Sequence, residues 1–458
     1  MPENMEHDTA AHAPEHMAHD TAAHAPEHMA HDTAAHAPGP EMTQADTAHA
    51  EMEANMIMGR IGSIDVMTMA QVFPTYTFTV PAANGTALDR TSFYLTQPVV
   101  TANLSSPRSA VVLRTTLNFE GVTQEEGELT WGAWGEGFLD KRHPHTLLHE
   151  LMLSVNLRRA TSAFSFSAGK GFPPYGTDDP MSRPVLKYPT NHHLSQALER
   201  WMVIGTALVG SWSAEAGVFG GTEPTGPYDF SNIESFPNSW SARVTKRFGV
   251  GQVGTWPWEL SVSHAYVVEE HDAATKHTSL LNAAVRHEGD HGGAHLYALV
   301  EASRADPEHG DSYSAVLAEA SIRSGRHLPY ARVEYAIRPE YQREGAGSEK
   351  GFFRYDHDDE PVGATRWLIV SGGYGLTLTN APVSPRPYIE VQYNRAWSER
   401  GGVDPVTLFG RSSFWSISAG TRIFIGGEPM RMGSYGILDS MTAMHDMPTL
   451  HAMSKHRH

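Results

Sequence analysis

Histidine and methionine recur at the start of this chain with a spacing suited to metal coordination. The unit HDTAAHAPEHMA runs from 7 to 18, repeats unchanged from 19 to 30, and begins again at His31 before breaking at Gly39. Its donors are His7, His12, His16 and Met17, then His19, His24, His28 and Met29, with His31 and His36 in the broken copy. Imidazole suits Cu, Zn, Ni and Fe, while thioether suits Cu(I). Donors three to five residues apart on a flexible chain can wrap one ion. Ordering that chain costs entropy, so the expected sites are weak and numerous. The other end repeats the pairing with Met441, Met444, His445, Met447, His451, Met453, His456 and His458. Methionine is apolar and oxidisable, an odd choice for an exposed tail. Its selection beside histidine favours copper over zinc, and no other cofactor is implied.

A second group lies in RHPHTLLHE, with His143, His145, His149 and Glu150. This is not the HExxH of zinc proteases, which sets two histidines one helical turn apart around a Glu base. Pro144 breaks any regular strand, placing His143 and His145 in a loop or bulge. With His192 and His193 from another long loop they could line a constriction or hold one metal. The preferred reading is plainer: hydrogen bonding that fixes loops over a barrel mouth. Period-two counting along LLHELMLSVNLR puts Glu150 with Ser154, Asn156 and Arg158 on one face and His149 on the other.

The elements that would position these groups are strands. Segments of about ten residues alternate strictly between apolar and polar side chains. In SAVVLRTTLNFE, Val111, Leu113, Thr115, Leu117 and Phe119 oppose Val112, Arg114, Thr116, Asn118 and Glu120. AHLYALVEAS, LPYARVEYAIR, PRPYIEVQYN and SFWSISAGTRIFI follow the same rule. About fifteen or sixteen such segments occur, nearly all as sequential hairpins. Short linkers (SGR, NAPVSP, HEGDHG) alternate with long ones (221–238, 339–364 and SERGGVDPVTLFGRS). Short turns on one rim and long loops on the other describe an all-β, up-and-down transmembrane barrel of about sixteen antiparallel strands. Trp240, Trp258, Trp367, Trp397 and Trp415 near strand ends suit its aromatic girdles. An even strand count returns both chain ends to the short-turn rim, so both His/Met tails would hang in the periplasm.

The polar parity supplies a lumen set: Arg114, Glu215, Arg243, His295, Glu301, Glu319, Arg332, Glu334, Arg338, Glu390 and Arg422. Both signs are present, so strong anion or cation selectivity is not expected. A wet channel and a salt-bridged, filled lumen would write the same pattern. The run DHDDE (356–360) at an outer loop tip reads as solvated charge rather than a calcium loop.

GEGFLDKRHPHTLLHELML (135–153), Asn191-His192-His193, VFGGTEP with YDF and SWSARV (218–244), FFRYDHDD (352–359), GGYGLTL (372–378) and MRMGSYGIL (430–438) carry a resemblance. Across roughly residues 110–440 the chain resembles bacterial outer-membrane, porin-like barrel proteins. The His/Met tail, by composition, is similar to that of copper-resistance B outer-membrane proteins. The first resemblance implies an outer-membrane channel, the second a role in metal tolerance.

Composition bounds the rest. The chain has 458 residues, no cysteine and a formal charge of −18. Residues 1–58 hold eleven Asp and Glu and no Lys or Arg, leaving about seven net negative charges for the other 400 residues. No basic face points to nucleic acid. The longest apolar run, WMVIGTALVG, is about half of what a helix needs to cross a bilayer. MPENMEHD has neither a basic n-region nor an apolar h-region, so an outer-membrane address requires an upstream leader or a mature start. No G-x-S-x-G elbow, P-loop or zinc-protease motif is present, so no enzymatic activity is expected. The expected organisation is a disordered tail (1–58), a barrel (59–429) in contact with lipid, and a Met/His tail (430–458). The reading is an outer-membrane barrel, porin-like or serving copper tolerance. The alternative is a structural or adhesive barrel with a filled lumen and no metal role.

Overall fold

The computed structural model describes residues 55–80, 91–124, 127–128, 138–139, 146–159, 161–185, 189, 192–224, 226–229, 233–249, 257–271, 274–340, 363–406, 411–428 and 430–442. The first strands are β1 (Ile57–Ile61), β2 (Ile64–Val80), β3 (Thr91–Ser105), β4 (Val111–Asn118), and the two-residue β5 (Gly127–Glu128) and β6 (Phe138–Leu139). Then come β7 (Leu148–Arg158), β8 (Ser162–Gly171), β9 (Arg200–Val209), β10 (Trp212–Phe219), β11 (Ser239–Phe248) and β12 (Trp258–His271). The last are β13 (Ala274–His291), β14 (Ala294–Pro307), β15 (Tyr313–Ser324), β16 (His327–Glu340), β17 (Gly363–Leu376), β18 (Val383–Arg400) and β19 (Ser413–Ile425).

Apart from β5 and β6, which pair with each other, every strand joins one antiparallel sheet of seventeen. Sixteen of them close on themselves, because β19 pairs back to β2 from Trp415↔Val80 to Ile425↔Ala70. The seventeenth, β1, continues the β19 side of β2, from Ile57↔Thr68 to Ile61↔Ile64. Closure removes the free edge that an open sheet would expose to lipid.

The period-two pattern sorts side chains as the sequence implies. Val262, Leu153, Val300, Val333, Ile389 and Ile417 face outward and are exposed, while Thr77, Ser154, Ser303, Asn394, Ser416 and Ser418 face inward and are buried. Apolar outside and polar inside is the inverse of a water-soluble core, and in a closed sheet it defines a transmembrane barrel of the outer-membrane type. Connections 106–110, 159–161, 210–211, 292–293, 325–326 and 377–382 lie on one rim. On the opposite rim the paired strands are separated by longer stretches of sequence, between Asn118 and Leu148, Gly171 and Arg200, Phe219 and Ser239, Glu340 and Gly363, and Arg400 and Ser413, although those from His271 to Ala274 and from Pro307 to Tyr313 are short. The β13–β14 hairpin turns on Gly292 and Gly293, both at positive φ (58° and 85°), the backbone a two-residue turn of type I′ demands.

Two local expectations fail. Trp240, Trp258 and Trp415 are exposed on the outer face, but Trp367 is fully buried on the inner face. There it packs with Ile369, Ala396 and Phe414 and donates Nε1 to Thr365 Oγ1 at 2.8 Å. The proposed tail boundary at 430 also fails, because Met432, Tyr435, Ile437 and Met441 are buried. Residues 430–442 belong to the barrel's packing. The 1–54 repeat, with Met444, His445, Met447 and His451, lies outside the described residues.

An arginine at the lipid midplane of such a wall costs about 2–4 kcal/mol. Val300→Arg, in the middle of β14, is therefore expected to lower refolding stability in vesicles by that amount. Guanidinium titration of the wild type and variant in lipid checks it.

Candidate functional site

The inward wall carries the charges predicted for the lumen. Arg114, Glu215, Arg243, Glu301, Glu319, Arg332, Glu334, Arg338, Glu390 and Arg422 are all buried. His295 shares their parity but sits near the short-turn rim, partly exposed, with Nδ1 2.9 Å from Asp290 and Nε2 3.4 Å from Glu288. Cross-strand register makes the pairs: Arg243 Nε meets Glu215 at 2.6 Å, Arg332 Nη2 meets Glu319 at 2.7 Å, and Arg114 Nε meets Glu150 at 3.0 Å.

Two non-strand segments enter the space these walls enclose. The first is the β8–β9 connection, 172–199. Its Phe172, Tyr175, Met181, Val185, Leu194, Ala197 and Leu198 are buried. Arg183 lies 3.5 Å from Glu301 on β14 and 3.8 Å from Glu319 on β15, and donates to the Asp178 carbonyl at 2.9 Å. Asp178 receives Arg286 of β13 at 2.6 Å. Arg422 of β19 donates to the carbonyls of Pro184 (2.6 Å) and Arg183 (3.2 Å). Contacts with β13, β14, β15 and β19 carry this segment across the interior. Gly176 permits its turn: φ is +70°, and a Cβ there would come within 1.7 Å of the Ser195 carbonyl oxygen.

The second segment, 430–442, follows β19 inward from the short-turn rim. Tyr435 Oη donates to Glu150 at 3.0 Å and accepts from the Phe172 amide at 2.9 Å. Asp439 receives Arg114 at 3.2 Å, and Arg431 donates to Glu259 at 2.7 Å. Tyr175, Leu194 and Ala197 of one segment and Tyr435 of the other share an apolar core with Met152, Met202, Ile204, Phe219 and Leu280 of the wall.

Arg243 joins everything. One edge forms a bidentate pair with Glu215, at 2.6 and 2.9 Å. The remaining N–H groups reach the carbonyls of Gly176 (3.2 Å), Thr177 (2.9 Å) and Gly433 (2.9 Å), and Ser434 Oγ at 2.9 Å. One guanidinium thus holds wall, loop and C-terminal segment together.

The histidines divide. His149 is fully buried rather than outward-facing, with Nδ1 3.4 Å from Glu199 and Nε2 3.7 Å from Asp179. A bulge causes this: Thr116 pairs with Glu150 but Leu117 pairs with Leu148, so His149 is the extra residue and leaves the alternation. Arg158, placed with the lumen residues by parity, is exposed at the turn end of β7. His192 is buried in the short helix His192–Ser195, which also contains His193. His143, His145 and the DHDDE run lie outside the described residues. Among the described residues, no three His, Asp or Glu side chains converge to hold a metal ion.

Sequence reasoning found the wall charges because strand parity exposes them. It missed Asp178, Arg183, Tyr435 and Asp439, which lie on segments without periodicity. The clue was compositional: YGTDDPMSR and MRMGSYG mix charges, aromatics and glycines in stretches too rich for a plain linker.

Closed sheet, inverted polarity and inward charge define the class, a membrane-spanning outer-membrane-type barrel of porin-like architecture. No family model matches the chain, and no curated relative does. Among solved structures it is similar to OmpT, an outer membrane protein of Vibrio cholerae, at 12% identity and TM-score 0.46, covering 80% of this chain and 99% of that one. It is also similar to the outer membrane channel DcaP of Acinetobacter baumannii, at 10% identity and TM-score 0.46, covering 80% and 98%. The anion-selective porin from Comamonas acidovorans follows at 12% identity and TM-score 0.42, covering 79% and 99%.

Two predictions follow from the filled interior. Arg243→Leu leaves Glu215 buried without its guanidinium and strips donors from both inserted segments. Losing one partner of a buried pair costs about 3–5 kcal/mol, so hydrogen exchange within 172–185 and 430–442 should accelerate together. Asp178 supplies the second. Burial alone would raise its carboxyl, but Arg286, Arg431 and Arg183 overcome burial and hold it far below the ordinary range. A carboxyl depressed in the fold contributes its stability above the unfolded value and loses it as pH falls through the folded one. Protease resistance of 172–185 should therefore persist to about pH 3, while Asp178→Asn should lose it at neutral pH.

Proposed function

We propose that the protein is a porin-like outer-membrane channel serving metal tolerance. In this reading the 172–199 and 430–442 segments close the lumen at rest, and the His/Met tails collect copper or zinc on the periplasmic side. The observation that supports it most is the shared position of the barrel's two ends. The β1–β2 start and the residues after β19 meet at the short-turn rim, where Met56, Met67, Met69, Met430 and Met441 cluster. Both donor-rich tails therefore extend from residues packed at one end of the lumen.

Permeation and collection are separable. Displaceable segments held by ion pairs suit a gate, because each anchor can be exchanged for water once the segment leaves. The packed interior also favours a second reading, a filled structural barrel. One cavity, beside Pro189, Glu301 and Glu334, measures about 20 Å³.

Planar-bilayer recording distinguishes them. The wild type is expected to be mostly closed with rare openings, and Arg183→Ala to open frequently, because it frees the segment from Glu301 and Glu319. Silence from both supports the filled barrel. Calorimetric titration of Cu(I), Cu(II) and Zn(II) into the full chain, and into a chain with every histidine of residues 7–36 replaced by alanine, tests collection. Several weak equivalents should disappear from the variant. Equal uptake by both removes the N-terminal repeat from the mechanism.

A further inference from the structure

We propose that the short-turn end of the barrel interior holds a binding site for one soft monovalent metal ion, Cu(I), built from the thioethers of Met67, Met69, Met432 and Met441. The site deepens the metal reading above but does not need the histidine repeats.

Period two places Met67, Met69 and Gln71 in one inward line on β2. Met441, fully buried, packs against Met67 and Met69, and Met56 and Met430 close the group from its edge. Ten methionines occur among the described residues, and five of them fall in this cluster. On the neighbouring strand β3, polar residues stand beside the group: Thr101 pairs with Met69 and Asn103 with Met67.

Beside the cluster is a cavity of about 10 Å³, lined by Met69, Met432, Gln71, Thr101, Ala70 and Val99. That is roughly the space of one water-sized sphere. Gln71 is buried, and among the described residues its Oε1 has no hydrogen-bond partner. A buried amide oxygen left unpaired is destabilising, and a cation in the cavity would relieve it.

Packing alone does not require these side chains. Leucine and isoleucine fill such corners with less flexibility and without oxidation to the sulfoxide. What thioethers add is softness: sulfur without charge or a titrating proton, which selects Cu(I) over harder ions. The segments that build the site are β2, at the start of the barrel, and 430–442, at its end. An ion held between them would pin the inserted C-terminal segment to the wall.

The test uses the full chain, folded in detergent, loaded anaerobically with Cu(I) and challenged with excess bicinchoninate. One equivalent is expected to resist the chelator in the wild type. The Met67→Leu/Met69→Leu/Met432→Leu/Met441→Leu variant should lose it, with heat-modifiable migration on gels confirming a folded barrel. If that variant does not fold, Met432→Leu alone, outside the strands, should weaken retention at least about tenfold. X-ray absorption on the retained copper should show sulfur neighbours. Undiminished retention by the leucine variants, or none in the wild type, overturns the site. The alanine-substituted repeat should still hold the resistant equivalent while losing weaker ones, so failure of the repeats and failure of this site read differently.

Discussion

A segment without regular structure can enter a barrel only if its backbone polar groups find partners there. An unpaired carbonyl shielded from water there is as costly as in any core. This chain meets the requirement with wall arginines. Arg243 caps the carbonyls of Gly176, Thr177 and Gly433, and Arg422 caps those of Arg183 and Pro184. Lysine would be a poor substitute, because it offers a point charge rather than a fork of five fixed donors. The guanidinium of Arg243 satisfies a wall carboxylate on one edge and inserted backbone on the other.

The filling is uneven around the circle. From β7 to β14 the inserted segments meet apolar wall residues, Met152, Met202, Ile204, Phe219, Ala265 and Leu280, and seal against them. Around β2, β18 and β19 the wall mixes hydroxyls with a buried cluster of Phe73, Tyr388 and Phe424. Thr75 Oγ1 lies 2.7 Å from Tyr388 Oη, and Thr77 Oγ1 lies 2.7 Å from Ser418 Oγ.

Strand parity made the fold legible, since Val300 and Glu301, adjacent in sequence, must face lipid and lumen respectively. The same rule could not show that His149 turns inward, because a bulge adds one residue and reverses parity locally. It also misassigned Trp367, where residue type suggested a girdle but position pointed inside. The inserted segments were illegible for a different reason. Arg183 and Glu301 are more than a hundred positions apart, and only closure of the sheet brings them together. Residues 430–438 were noticed as a motif, yet hydrophilicity assigned them to a tail. Arg431, Ser434 and Asp439 are polar because the lumen they enter is polar.

The two inserted segments cannot move independently. Tyr435 touches the Phe172 amide, Arg431 lies 3.8 Å from Asp178, and Arg243 grips both segments at once. Withdrawing 430–442 toward the short-turn rim would remove Tyr435 from the apolar core that packs Tyr175 and Leu194, and would leave Arg243 half satisfied. The cost of disturbing one segment is thereby charged to the other, the thermodynamic definition of coupling. The C-terminal segment continues directly into the donor-rich stretch after Thr442.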